Sequence, residues 1–297
     1  MIACRPTPRV LWSGCSRRAP PAPATETATV GWQAETMPIE RTVPVDPTVE
    51  PPVHAVRAGV TAALAEDLTP LGDLSAALLP AQATATAAFV PRDPGVVAGL
   101  ACAGEAFAQV DERIHVRWDV TDGTAVGGGE TIGTVSGPLA GILTAERTAL
   151  NFLCQLSGVA TMTRTFADAA AAGGDAVIWD TRKTVPGMRS LQKAAVRAGG
   201  GASHRGNLSD WVMIKDNHLT VLGITEAVAR ARRTWPARTI HIEVESTAAM
   251  IEALDAGADA VLLDNFTPDD AAAAVAAASA WANDHHTRRP WLECSGG

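Results

Sequence analysis

From about residue 175 onward, short apolar runs alternate with segments of helical character. A polar residue closes each run, and the next segment is rich in Ala, Arg, Glu and Leu. Strand followed by helix, repeated, predicts parallel strands joined by helices. The runs show little polar alternation, which is typical of strands covered on both faces. The predicted strands are AVIW (176–179), WVMI (211–214), TIHIEV (239–244), AVLL (260–263) and WLE (291–293).

The preceding part of the chain has a mixed pattern. Residues 53–68 have helical spacing and stop before Pro70. Short β-like runs punctuated by Gly and Pro follow, which favours a small α+β domain with an antiparallel sheet. Residues 145–172 then predict a long helix. Its apolar stripe consists of Ala149, Phe152, Leu153, Leu156 and Val159.

Composition separates the start of the chain from the rest. Residues 1–48 are rich in Pro, Ala and Thr and lack periodicity, so we predict a disordered extension, with Met37 as an alternative start and a transit peptide as a less favoured interpretation. An α/β-sandwich-like domain is expected over 49–150. A barrel domain is expected over 151–297.

Overall charge and cysteine usage limit the class of protein. The chain has 297 residues, 47% of them hydrophobic, and a net charge of -8. This describes a globular protein and argues against general nucleic-acid binding. No apolar run approaches the roughly 18 residues of a membrane span. Five cysteines without CxxC spacing favour a reducing compartment, and we expect a cytoplasmic location.

Charged residues follow four successive predicted strands. In a β/α barrel the carboxyl ends of the strands converge on the mouth that carries catalysis. We therefore expect these side chains to form an active site, although isolated charges at strand ends are also common in solvated loops. The residues are Asp180 with Arg182 and Lys183, then Lys215, Glu245 and Asp264.

Two cationic loops suggest an anionic ligand. In DTRKTVPGMR (180–189), Arg182 offers a planar fork and Lys183 a compact charge, which together suit an anion with more than one group. A surface salt bridge is the alternative, and Arg189 is more ambiguous. In GGGASHRGN (199–207), the glycines permit close backbone approach and His204-Arg205 adds further donors. A packed histidine is the alternative there.

Lys215 follows four apolar residues and is costly to bury unless an anion compensates it. A ligand anion is one interpretation, and an internal ion pair with Glu245 or Asp264 is another. Glu243 shares a strand face with Glu245 and is a further partner for a lysine. Carboxylates beside a cationic pocket also suit sugar hydroxyls or Mg²⁺.

Arg147 lies near the predicted start of the long helix. The helix dipole disfavours a cation there unless it has a partner. We therefore expect Arg147 to have a partner, with a solvated arginine at the helix start as the alternative.

Six motifs, in this order, resemble the quinolinate phosphoribosyltransferase (nicotinate-nucleotide pyrophosphorylase) family: ERTALNFLCQLSGVAT, DTRKTVPGMR, KAAVRAGGGASHR, IKDNH, IEVES and LLDN. The resemblance runs from about Val53 to the end of the chain. It implies an α/β fold with an α/β-sandwich-like domain followed by an open (β/α) barrel, in a homodimer with shared active sites. It also implies transfer of phosphoribosyl from 5-phosphoribosyl-1-pyrophosphate to quinolinate with Mg²⁺, releasing pyrophosphate and CO₂.

The resemblance also implies residue roles. Arg182, His204 and Arg205, with Thr181 beside them, are expected to hold the quinolinate carboxylates, and Arg147 to reach in from the partner subunit. Lys183 and Lys215 are expected at the donor phosphates or the reacting carboxylate. Sugar hydroxyls and Mg²⁺ are expected at Glu245 and Asp264. Half of a phosphate cradle is expected at Ser295, Gly296 and Gly297.

Two departures from the family pattern stand out. Ser203 replaces an Asn that usually precedes His-Arg. The family also continues past the position of Gly297 with a second phosphate loop, so we expect a truncated or frameshifted chain with weakened phosphate affinity. The alternatives are an impaired subunit that acts only as an oligomer partner, or a nicotinate phosphoribosyltransferase, which binds a monocarboxylate.

Overall fold

The computed structural model describes residues 49–296 and the backbone of Glu40–Arg41. The rest of the predicted extension 1–48, and Gly297 of the predicted phosphate cradle, lie outside the described residues. The described chain forms two compact units, one ending at His204 and one beginning at Arg205. Within the described residues, no helix combines the length and the apolar character needed to cross a bilayer.

The unit that ends at His204 contains a four-stranded sheet, a two-stranded sheet and four α-helices. The larger sheet has the order β1-β4-β6-β2, with antiparallel pairing except for the parallel β1–β4 pair. The strands are β1 Glu40–Arg41, β2 Thr84–Phe89, β3 Gly95–Val96, β4 His115–Trp118, β5 Ala125–Val126 and β6 Gly133–Pro138. The helices are α1 Val53–Leu68, a 3-10 turn at Ala76–Leu78, α2 Leu100–Val110, α3 Leu139–Gly173 and α4 Arg189–Ala198.

The core of this unit lies between the larger sheet and the helices. In β4, Val116 and Trp118 are buried while His115 and Arg117 are exposed, so only one face of the strand is covered. This alternation is what an antiparallel sheet with one solvated face requires. The prediction of an antiparallel α+β domain is therefore confirmed, and α1 has the predicted bounds.

Helix α3 is longer than predicted. It begins at Leu139 directly after Pro138, six residues before the predicted start. Arg147 therefore lies in the third turn, beyond the range of the helix-terminus dipole. Contrary to the prediction, Arg147 needs no partner to offset the helix dipole, because the position is not a helix start. Arg147 is exposed.

The predicted buried strand at 176–179 does not form. Val177 is 60% exposed and Trp179 is 43% exposed. The segment pairs with the rest of its unit through a single bridge from Trp179 to Ala202, with hydrogen bonds from Ala202 N–H to the Ile178 carbonyl (2.8 Å) and from Asp180 N–H to the Ala202 carbonyl (3.0 Å). An apolar run becomes a strand only where a neighbouring backbone continues the ladder, and here the pairing ends after one bridge.

The unit that begins at Arg205 is a parallel four-stranded sheet with its connecting helices. The strand order is β10-β9-β8-β7, and every pair is parallel. The strand–helix repetition predicted from the sequence is confirmed over this unit. The strands are β7 Val212–Ile214, β8 Ile240–Val244, β9 Ala260–Asp264 and β10 Trp291–Ser295; the helices are α5 Asp216–Leu219, α6 Ile224–Thr234, α7 Thr247–Asp255 and α8 Pro268–Asp284.

The two faces of this sheet differ in polarity. One face carries Ile214, Ile242 and Leu263, which belong to an apolar cluster with residues of α6, α7 and α8. The opposite face carries His241 and Glu243, which alternate with the apolar residues along β8. The expectation that the strands are apolar on both faces is wrong for β8. A strand tolerates this alternation where its polar side chains find partners, as they do here.

Candidate active site

In the unit that ends at His204, Asp180 is the centre of a buried ionic contact. Its Oδ1 accepts hydrogen bonds from Lys193 Nζ and from the His204 backbone N–H (2.8 Å). Lys193 Nζ also donates to the His204 carbonyl (2.8 Å). The side chains of Lys193 and Asp180 are only 8% and 5% exposed. The contact therefore fixes both backbone polar groups of His204.

The neighbouring cationic loop, residues 180–189, contains a guanidinium nitrogen that has no acceptor among the described residues. Lys183 N–H donates to Thr181 Oγ1 (2.9 Å), which forms a tight turn around Arg182. The Nε of Arg182 is buried and has no hydrogen-bond acceptor among the described residues. Buried donors are nearly always satisfied, so this nitrogen is an exception among the described residues. Thr181 and Lys183 are exposed.

Two further arginines order these loops. Arg189 Nε donates to Thr184 Oγ1 (3.2 Å). Arg197 donates to Ser203 Oγ (3.0 Å) and to the Glu50 carbonyl (3.2 Å). Desolvation by burial lowers the pKa of Arg197, opposed by the charge of Asp180. The serine that departs from the family pattern therefore accepts a hydrogen bond from an arginine of α4.

The glycine run after α4 is needed for packing. A Cβ at Gly199 would lie 2.6 Å from Thr163 Cβ, and one at Gly201 would lie 2.7 Å from Val196 Cγ1. Gly200 has a φ of +91°, which favours glycine. The close backbone approach predicted from the sequence is thus toward α3 and α4 of the same unit.

In the unit that begins at Arg205, Lys215 pairs with a carboxylate one strand away. Its Nζ forms an ion pair with Glu243, which is the alternative partner considered from the sequence. The internal pair with Glu245 or Asp264 is not the one observed. Lys215 follows β7, and its N–H donates to His218 Nδ1 (3.0 Å), which caps the short helix α5.

Glu245 and Asp264 are neighbours at the carboxyl end of the sheet. Val244, the last residue of β8, pairs in register with Leu263, so Glu245 and Asp264 are the next residues along two neighbouring segments. Asp264 Oδ1 accepts from Ser295 Oγ (3.0 Å). Glu245 is exposed.

The end of β10 is held close to the residue after β9. Asn265 N–H donates to the Ser295 carbonyl (2.9 Å), and Asn265 Nδ2 donates to Asp264 Oδ2 (2.9 Å). Gly296 has a φ of +99°, and a Cβ there would lie 2.8 Å from Asn265 N. Only glycine fits this position without a shift of the backbone.

Sequence reasoning missed the other polar group on this face. His241 Nδ1 lies 3.1 Å from Glu293 Oε1, and the Trp211 ring stacks on the His241 ring with centroids 4.8 Å apart. His241 is buried. The signal was available, since His241, Glu243 and Glu245 are spaced by two and so share one face of a strand.

The predicted site residues are divided between the two units. Arg147, Thr181, Arg182, Lys183 and His204 belong to the unit that ends at His204, while Arg205, Lys215, Glu245, Asp264, Ser295 and Gly296 belong to the other. Arg205 is buried and His204 is half-buried. Lys193 and Arg197 were not predicted as site residues because a lysine and an arginine within a helix usually face solvent.

Comparisons with known proteins agree with these features. Residues 73–157 match the quinolinate phosphoribosyl transferase N-terminal domain, and residues 159–297 match the C-terminal domain. A nicotinate-nucleotide pyrophosphorylase [carboxylating] of Mycobacterium leprae is 41% identical over 218 residues, which cover 71% of this chain and 76% of the relative. A chloroplastic protein of that name from rice is 42% identical over 72% of this chain. The chain spans 57% of the length of the rice relative.

A solved structure has the same fold. The nicotinate-nucleotide pyrophosphorylase from Francisella tularensis superposes with a TM-score of 0.77 at 36% sequence identity, covering 85% of this chain and 87% of that one. The same family is indicated by the two domain matches, by the relatives and by the parallel sheet with charged residues at the carboxyl ends of its strands. The chain therefore belongs to the quinolinate phosphoribosyltransferase family.

Proposed function

We propose that this chain transfers the phosphoribosyl group of 5-phosphoribosyl-1-pyrophosphate to quinolinate and releases CO₂, giving nicotinate mononucleotide and pyrophosphate in the synthesis of NAD. Support comes from relatives named nicotinate-nucleotide pyrophosphorylase [carboxylating] in Mycobacterium leprae and quinolinate phosphoribosyltransferase [decarboxylating] in Nicotiana glauca. The observation that carries the proposal is the buried Arg182 Nε, which has no acceptor among the described residues.

Quinolinate is a dianion, and arginine recognises carboxylates through a planar pair of donors. In this proposal Arg182 and Arg205 bind the two carboxylates, and His204 adds a hydrogen bond, with Thr181 shaping the turn. Lys193 and Asp180 act as positioning residues, because they hold both backbone polar groups of His204. Together with Arg147, Arg182 and Arg205 make a cluster of three cations. Such a cluster favours a dicarboxylate over nicotinate, which has one carboxylate.

The phosphoribosyl donor is assigned to the remaining charged residues. Lys183 and Lys215 bind its phosphates, and Ser295, Gly296 and Gly297 contribute to a phosphate cradle. Lys215 is paired with Glu243 but keeps 43% of its side chain exposed, so it has donors left for a ligand.

Mg²⁺ is proposed as the cofactor, held by Glu245 and Asp264. The residues fit the ion, because it prefers carboxylate oxygens and these two carboxylates directly follow the paired residues Val244 and Leu263 at the same end of the sheet. Asp264 uses one lone pair of each oxygen for Ser295 and Asn265, and each oxygen retains another. When bound, Mg²⁺ would neutralise charge on the pyrophosphate group.

The chemistry needs little covalent participation from the protein. The pyridine nitrogen displaces pyrophosphate at the anomeric carbon of the ribose through an oxocarbenium-like state, which the carboxylates of Glu245 and Asp264 stabilise electrostatically. The positive charge on the pyridinium nitrogen then stabilises the electron pair left on the adjacent ring carbon when its carboxylate leaves as CO₂, and a proton from water adds to that carbon to give nicotinate mononucleotide. The positioning of two anionic substrates supplies much of the rate enhancement.

We further propose a cytoplasmic homodimer in which Arg147 of one subunit completes the site of the other. The exposed position of Arg147 on α3 supports this, because a side chain in the third turn of a long helix is available to a second copy. The chain has an odd number of cysteines and no CxxC spacing, which favours a reducing compartment such as the cytoplasm.

Steady-state kinetics with CO₂ and pyrophosphate measured together test the proposal. Arg182→Gln should raise the KM for quinolinate by about 100-fold or lower kcat/KM by as much, with a much smaller effect on the KM for the donor. Arg57→Gln is a matched control, since Arg57 is exposed on α1 and paired with Glu105. Pyrophosphate release with nicotinate, or none of CO₂ with quinolinate, would contradict the proposal.

A further inference from the structure

The unit that begins at Arg205 has a cavity at the amino-terminal end of its sheet. The cavity has a volume of about 580 Å³ and is lined by residues that precede strands β8, β9 and β10, including Thr239, Asp259 and Pro290. Glu245, Asp264 and Ser295 lie at the opposite ends of these five-residue strands. A strand of five residues is about 16 Å long, so this cavity is separate from those carboxyl ends.

The charge of this cavity is opposite to that of the protein. Its charged lining residues are four arginines and one aspartate, whereas the whole chain carries a net charge of -8. The aspartate is already engaged, because Asp259 Oδ2 accepts from Arg232 (2.8 Å) and from the Ile240 N–H (2.7 Å). Arg232 also donates to the Gly257 carbonyl (3.1 Å). This pair therefore has a structural role, and Asp259 does not pair with the other three arginines.

The other three arginines have no carboxylate partner within the described part of the chain. Arg238 donates to the Asp210 carbonyl (3.2 Å), and Arg288 lies over the Trp291 ring with its guanidinium carbon 4.9 Å from the centroid. Arg238, Arg288 and Arg289 are exposed. Three like charges around one cavity repel one another, so an anion that binds between them relieves that repulsion.

Trp291 gives the cavity an aromatic surface. It is the first residue of β10 and is 63% exposed, although tryptophan is normally well buried. A nucleobase stacks favourably on such a ring, and the paired N–H donors of an arginine guanidinium bind phosphate oxygens. The volume suits a small molecule of nucleotide size.

We propose that this cavity binds a nucleotide carrying two or more phosphate charges, with Arg238, Arg288 and Arg289 at the phosphates and Trp291 at the base. A nucleic acid is disfavoured because the net negative charge of the chain repels a long polyanion. The inference concerns a second ligand site and does not depend on the proposed transferase activity.

Isothermal titration calorimetry of the full chain with ADP, adenosine and inorganic pyrophosphate tests this site. ADP should bind more tightly than either of the other probes. Arg288→Gln with Arg289→Gln should weaken ADP binding by roughly tenfold or more. Arg233→Gln is the matched control, because Arg233 is an exposed arginine of the same unit that pairs with Glu226 and does not line the cavity.

Two further variants separate the aromatic surface and the proposed active site. Trp291→Leu should weaken ADP by about tenfold and leave pyrophosphate unchanged. Lys215→Ala should leave ADP binding at the cavity unchanged. Absence of ADP binding, equal affinity for ADP and pyrophosphate, or loss of ADP binding in Lys215→Ala would each overturn the proposal. Circular dichroism spectra of the Arg288→Gln with Arg289→Gln variant should match the wild type, because Arg288 and Arg289 make no hydrogen bonds among the described residues.

Discussion

Replacing Lys193 with methionine should destabilise the unit that ends at His204. Met has a similar length and fills the same volume but cannot pair with Asp180. Asp180 Oδ1 would keep only the His204 N–H, and its Oδ2 already has no hydrogen-bond partner among the described residues. The carboxylate, 5% exposed, would then be a buried charge without its ion-pair partner Lys193, and only the charge of Arg197 would still offset it.

The expected loss of stability is large because the variant removes one member of the ion pair and leaves the other charge buried. Breaking a buried ion pair from one side typically costs about 3–5 kcal/mol. A domain is stable by only about 5–15 kcal/mol, so Lys193→Met should lower the free energy of unfolding by a large fraction. Replacing both members, Asp180→Asn with Lys193→Met, removes the stranded charge and should recover a substantial part of the loss.

Urea denaturation followed by circular dichroism measures this double-mutant cycle. Lys183→Met is the matched control, because Lys183 is exposed and an exposed substitution should change the free energy of unfolding by no more than about 0.5 kcal/mol. The reasoning is refuted if Lys193→Met falls within the range of that control, or if the double variant is destabilised by the sum of the two single losses.

Three other predictions follow from single contacts. Hydrogen bonds from Ala76 N–H and Thr144 Oγ1 lower the pKa of Asp73, so its contribution to stability is present above the ordinary pKa and is lost as the pH falls through the lowered one; the stability difference between wild type and Asp73→Asn should be largest at neutral pH and vanish in acid titrations followed by thermal unfolding. Burial raises the pKa of Cys102 to about 12, so peptide mass spectrometry should find Cys102 unlabelled by iodoacetamide at pH 8 until urea is added. Gly296→Ala should raise the KM for 5-phosphoribosyl-1-pyrophosphate with little change in the KM for quinolinate, because a Cβ there collides with Asn265; equal effects on both would contradict the assignment.

Local hydrophobic periodicity was sufficient to predict the helices and strands whose packing partners are close in sequence. Helix α1 has the predicted bounds, and the strand–helix alternation after Arg205 gave a parallel sheet. In these segments the apolar spacing, the turn residues and the final packing all favour the same conformation.

Distant backbone partners decided where the predictions were wrong. The run at 176–179 is as apolar as the strand at 260–263, but only the latter has neighbouring strands on both sides. A strand is stabilised by hydrogen bonds to another segment, and the sequence of the strand does not state whether that segment is present. Helix α3 also began earlier than its apolar stripe implied, which moved Arg147 away from the helix terminus.

The chemical types at this candidate site can be read from the chain alone, because motif order and strand-end charges are local properties. Which of these charges already have a partner depends on the folded structure. Lys215 pairs with Glu243 and Asp264 with Ser295, whereas the buried Arg182 Nε has no acceptor among the described residues. Pairing of this kind depends on strand register and on burial, and both are set by contacts between residues far apart in the sequence.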